Sequence, residues 1–189
     1  MDEKVDQLEF DDITKKFSGI ETYRGDIWYR CRTLLNKGYI YEAYTLLLAT
    51  WNFARFRYFM KYLNPEKFLK IIDETEKLHK TLDSLDIRSF NFNSEDLLEK
   101  IKDIYEIFRE IKGIEQTGAS KLLSLRNPEL FVMWDTKIRK KYNIDNKGTA
   151  EDYIKFLQII QKRFKHLKWE SKDKTFTKAI DEYNFYKIH

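Results

Sequence analysis

Residues 107–141 read IFREIKGIEQTGASKLLSLRNPELFVMWDTKIRKK. A helix ends near Lys112, a tight turn falls at Gly113, and a second helix runs from about Gln116 to Leu125. Asn127-Pro128 opens a loop, and the apolar run Leu130 to Trp134 then delivers one carboxylate, Asp135, to the start of a third helix. The pattern is two helices joined by a glycine turn, with an acid held at the mouth of the next.

The rest of the 189-residue chain agrees with a helical protein. It is 42% hydrophobic and 16% aromatic, enough for a sizeable core, and has only six Gly and two Pro, which suits long helices with short connections. An acidic segment, residues 1–17, reads as a short helix; Gly19 and Gly25 punctuate the next stretch; Ile27 to Asn36 reads as a helix stopped by Lys37-Gly38. From Tyr39, YIYEAYTLLLATW is apolar almost all round and predicts a buried helix. Asn52 to Leu63 mixes aromatics with Arg55, Arg57 and Lys61. Asn64-Pro65 starts a helix to about Leu82, and Ser94 with Glu95 and Asp96 starts the one that ends at the turn. Gly148-Thr149 caps Ala150 to about Lys165, and a last helix runs from about Lys174 to Tyr186. No alternating strand is legible, so the expected class is all-α, in a single domain over residues 1–189.

Cys31 is the only cysteine, which excludes an intramolecular disulfide and any four-cysteine zinc or iron–sulfur site. His79, His166 and His189 are far apart and lack metal-site spacing, and there is no phosphate-cradling glycine-rich loop or serine-nucleophile motif. No segment reads as a signal peptide or membrane span, so an intracellular setting without membrane contact is expected. The net charge of +4 is modest, but the first twenty residues carry three lysines against six carboxylates, while residues 112–147 carry eight cations against four acids. Positive charge therefore gathers around the turn and the helix after Asp135, either as a phosphate-binding face or as an ordinary lysine-rich surface.

Residues 107–141 resemble the core of the helix-hairpin-helix DNA glycosylases, the endonuclease III and 8-oxoguanine glycosylase superfamily. The family turn is similar to Leu-Pro-Gly-Val-Gly, aligned here with Ile111 to Glu115, so the first glycine is Gly113 and the second is replaced by Glu115. The resemblance implies two helical lobes with a cleft, the hairpin at about residues 101–125 and the catalytic helix starting at Asp135. It implies that Asp135 stabilises a cationic sugar during N-glycosidic cleavage; the same residue also reads as a simple helix cap. Bifunctional relatives carry a lysine about eighteen residues before that Asp, where this chain has Thr117, so hydrolysis without lyase activity is implied. Lys121 and Lys137 are the nearby alternatives as nucleophiles. Phosphate contacts fall to Gly113, Thr117 and Gly118 with Lys121, Lys137 and Arg139; a simple corner between two helices is the alternative.

Residues 51–56, WNFARF, resemble the 8-oxoguanine glycosylase segment Asn-Asn-Ile-Ala-Arg-Ile. By that likeness Asn52 enters the gap left by an extruded base and Arg55 meets the orphan base. Candidates for stacking in a base pocket are Trp28 and Trp134, with Tyr29, Trp169, Tyr183, Phe185 and Tyr186 as alternatives. The implied partner is double-stranded DNA, bound by a monomer with no cofactor. The iron–sulfur cluster of many relatives is excluded by the single cysteine. Two other readings stay open: a non-catalytic DNA-binding relative and a helical protein–protein scaffold.

Overall fold

A computed structural model describes residues 3–20, 23–144 and 147–188; Asp145 and His189 lie outside them. Among the described residues there are ten helices and no strand: α1 (Gln7–Ile20), α2 (Tyr23–Asn36), α3 (Ile40–Trp51), α4 (Phe53–Tyr62), α5 (Pro65–Lys80), α6 (Glu95–Arg109), α7 (Glu115–Arg126), α8 (Thr136–Lys141), α9 (Ala150–Phe164) and α10 (Phe176–Ile188). The fold is all-α.

Local chemistry sets many of the boundaries. Asn64 Oδ1 accepts from Lys67 N at 2.9 Å with Pro65 in the first turn of α5. Thr149 and Asp152 form a reciprocal capping box at α9. Ser94 precedes α6 but makes no side-chain cap bond; Glu95 and Asp96 complement the helix dipole there, and Asp96 also pairs with Lys100 at 2.5 Å. Gly19 and Gly25, expected as punctuation, sit inside α1 and α2.

Helix α7 is the hub. Gly118, Ala119, Ser120 and Leu122 to Leu125 are all buried, and α7 packs on α6, α2 and α3. Its small residues set the approach: a Cβ on Gly118 would lie 3.0 Å from Asn52 Nδ2 and 3.3 Å from Leu48 Cδ2. Beyond it, Tyr105 stacks on Tyr153 at 4.7 Å and Trp134 meets Tyr153 edge-on at 5.0 Å. The run Leu130 to Trp134 threads this core fully buried, with Val132 O accepting from Tyr153 Oη at 2.9 Å. Helix α1 packs on α10, where Phe10 touches Phe164, Trp169 and Phe176. No helix among the described residues is long and apolar enough to cross a membrane.

Candidate functional site

The turn between α6 and α7 needs two left-handed residues. Gly113 has φ +91°, and a Cβ there would sit 2.7 Å from Phe59 Cα and 2.8 Å from Phe59 Cβ, so both conformation and space demand glycine. Glu115, which stands where the family pattern has its second glycine, takes φ +52°. That costs a non-glycine residue about 1–2 kcal/mol. The Glu115 carboxylate is met by Arg55 at 3.2 Å across the mouth of the turn. Asn52, at the break between α3 and α4, closes the turn from behind, its Nδ2 donating to Gly113 O at 2.9 Å and Ile114 O at 3.3 Å.

Asp135 is positioned from α7. Ser120 Oγ accepts from Trp134 N at 3.2 Å and donates to Thr117 O at 3.0 Å, with Trp134 O as its longer alternative acceptor at 3.2 Å, and Trp134 Nε1 donates to Gln116 O at 3.0 Å. The next residue, half-buried Asp135, caps α8, with Oδ1 accepting from Ile138 N at 2.8 Å. One residue after Ser120 on the same helix, Lys121 donates from Nζ to Trp51 O, the last carbonyl of α3, a favourable end for a cation. Burial pushes the Lys121 amine down to about 8, against the pull of the Asp181 and Asp135 carboxylates.

Helix α10 completes this cluster with charges that the sequence did not single out. Lys178 pairs with Asp181 at 3.3 Å and Glu182 at 3.2 Å, and its ammonium lies 5.3 Å from the Trp51 ring. Lys174 pairs with the other Glu182 oxygen at 2.5 Å. Burial raises the Asp181 carboxyl above its ordinary value although Lys178 and Lys121 oppose it. Lys121 and Lys178 thus both meet Trp51, one at its carbonyl and one at its ring, and the charges of Asp181 and Asp135 act on Lys121.

No protein-family model, curated protein or solved structure matches the chain. Among the described residues no group of His, Cys, Asp and Glu is arranged to hold a metal ion.

Several residues expected at a DNA surface are interior. Asn52 is only 7% exposed and is engaged with the turn, so it does not project for insertion into a duplex. Arg139 is buried 5.3 Å over the Trp134 ring, with Nη2 near Thr136 and with Nε and Nη1 lacking hydrogen-bond partners among the described residues, rather than lying on a phosphate-facing surface. Trp28 packs edge-on against Tyr29 within the core, and Trp134 is equally buried, so neither lines an open base pocket. Gly118 faces α3 rather than solvent. Thr117 is half-buried at the start of α7, while Arg55 and Lys137 are exposed.

Proposed function

We propose that the chain is a DNA N-glycosylase-like protein of two helical lobes, excising a damaged or mismatched base from duplex DNA by hydrolysis with Asp135 as the catalytic carboxylate. The observation that carries this reading is the placement of Asp135: the preceding residue, Trp134, is held from α7 by Ser120 and Gln116, the Asp135 carboxylate caps α8, and the half-buried Lys121 amine feels its charge. As the C1′–N bond breaks, its electron pair leaves with the base and positive charge develops on the sugar. A carboxylate at that point stabilises the cation; water then adds to C1′ and gives up a proton. The first-turn N–H groups of α7 are those a phosphate would meet, with Arg55 offsetting the charge of Glu115.

The test uses duplexes carrying a cationic azasugar or a neutral abasic analogue. Wild type should bind the cationic one at least tenfold tighter, and Asp135→Asn should lose that preference. Equal binding of both by wild type would sink the reading.

Lys121 favours a second reading, glycosylase with lyase activity. The half-buried Lys121 amine, pushed down to about 8, is a usable nucleophile near neutral pH. Its nitrogen would bond to C1′ as the bond to the base breaks and that electron pair leaves with the base. Opening of the C1′–O4′ bond, with the nitrogen's protons passing to O4′ and to water, would leave an imine. Borohydride trapping of a protein–DNA adduct, lost in Lys121→Gln, separates this from hydrolysis.

A further inference from the structure

Helix α4 is an outlying element: of its ten residues only Phe59 is buried. Its sequence, FARFRYFMKY, holds three cations and no carboxylate. Phe53 is 76% exposed, and Tyr58, Met60 and Tyr62 are also exposed. Cations and rings interleave. The Arg57 guanidinium lies 4.8 Å from the Tyr58 ring centroid, Lys61 lies 5.3 Å from that of Tyr62, and Lys112 of the hairpin lies 3.9 Å from the same ring. Beside Tyr62 a groove of about 390 Å³ is lined by apolar residues including Phe68 and Ile107, with two cations, Lys67 and Lys112, against one carboxylate, Glu110.

The arrangement discriminates between partners. At 100° per residue, Phe53 and Met60 fall on one flank, Tyr58 and Tyr62 on the other, and Arg57 and Lys61 between them. A helix that lies in a lipid surface segregates its apolar face from its cations; α4 does not. Rings alternating with cations suit a polyanion that also offers flat π-faces, which a strand with unpaired bases does and a closed duplex does not.

We propose that α4 and the groove at its end dock single-stranded DNA, with unpaired bases stacking on Phe53, Tyr58 and Tyr62 while Arg57, Lys61 and Lys112 meet the phosphates. The choice of DNA rests on the reading of Asp135; the stacking does not.

Fluorescence anisotropy with a labelled oligothymidylate tests it, beside a blunt duplex, an oligouridylate and anionic phosphatidylserine vesicles. Wild type should prefer oligothymidylate to oligouridylate and vesicles, and a Phe53→Ala/Tyr58→Ala/Tyr62→Ala variant should lose at least tenfold in oligothymidylate affinity with its salt dependence kept. Arg57→Gln/Lys61→Gln should flatten the salt dependence instead. Unchanged oligothymidylate affinity in the aromatic variant, an equal loss of blunt-duplex affinity in that variant, or preference for oligouridylate or vesicles would overturn the proposal. If the triple variant fails to fold, Phe53→Ala alone decides, since that side chain is exposed and should still cost severalfold. The azasugar preference, read in parallel, can fail while strand binding stands, and the reverse.

Discussion

The side-chain amide of Asn52 donates to the main-chain carbonyl of Gly113 at 2.9 Å, tying the corner between α3 and α4 to the hairpin turn 61 residues away. Asn52→Ala strands the buried Gly113 carbonyl, while Ile114 O keeps its bond from Gly118 N, and should cost about 1–3 kcal/mol in urea unfolding. Asn52→Asp places a carboxylate against the same carbonyls and should cost more.

Two glycines with similar backbones offer an internal control. Gly38 has φ +86° with nothing within 4 Å of a built Cβ, whereas Gly113 has φ +91° and backbone of Phe59 in the way. Gly38→Ala should cost about 1 kcal/mol, from left-handed strain alone. Gly113→Ala should cost clearly more, because α4 must move. Equal costs in parallel unfolding curves would contradict the packing of α4 on the turn.

Glu115→Gly should remove left-handed strain worth about 1–2 kcal/mol and lose only a partly exposed ion pair with Arg55 worth at most about 1 kcal/mol. The variant should be at least as stable as wild type. By removing an acid from the turn it should also bind duplex DNA severalfold tighter at low salt, measured by anisotropy.

His79 is buried with Nδ1 against Asn127 Oδ1, and burial pushes its imidazole down to about 3. Neighbouring Arg126 holds Glu76 through two contacts of 2.8 and 2.9 Å and Asp83 at 2.7 Å, joining α5 to the end of α7. Between pH 6.5, where a free histidine titrates, and about 3, the unfolded chain binds a proton that the folded chain refuses. Stability from this group is therefore full above pH 6.5 and falls on acidification, by about 2 kcal/mol between pH 6.5 and 5. His79→Gln should flatten that part of the stability–pH curve.

The features legible in the sequence were local. The starts of α5 and α9 were legible because Asn64-Pro65 and Thr149 with Asp152 carry their own caps. Asp135 was legible as a helix start for the same reason. Burial of charge was not. Arg139, in the run Lys137 to Lys141, looks like any solvated cation, and only the closing of Gly148 and Trp134 around it makes it interior. Lys178, Asp181 and Glu182 fall at spacings that ordinarily give a surface ion-pair ladder. The packing of α1 and α8 against α10, with Trp51 of α3 beside Lys178, turns that ladder inward. Asn52 and Trp134 likewise fit either a surface or a core reading until the turn and α9 enclose them.

The most direct measurement is single-turnover base release from a panel of lesion-bearing and mismatched duplexes, wild type beside Asp135→Asn, with protein in excess so that binding does not limit. Alkali-labile product from at least one duplex, slowed about 100-fold or more in a variant that unfolds at an unchanged or higher denaturant midpoint, is the expected result. Base release at equal rates by the two proteins, or none from any duplex at saturating protein, would contradict Asp135 as the catalytic carboxylate.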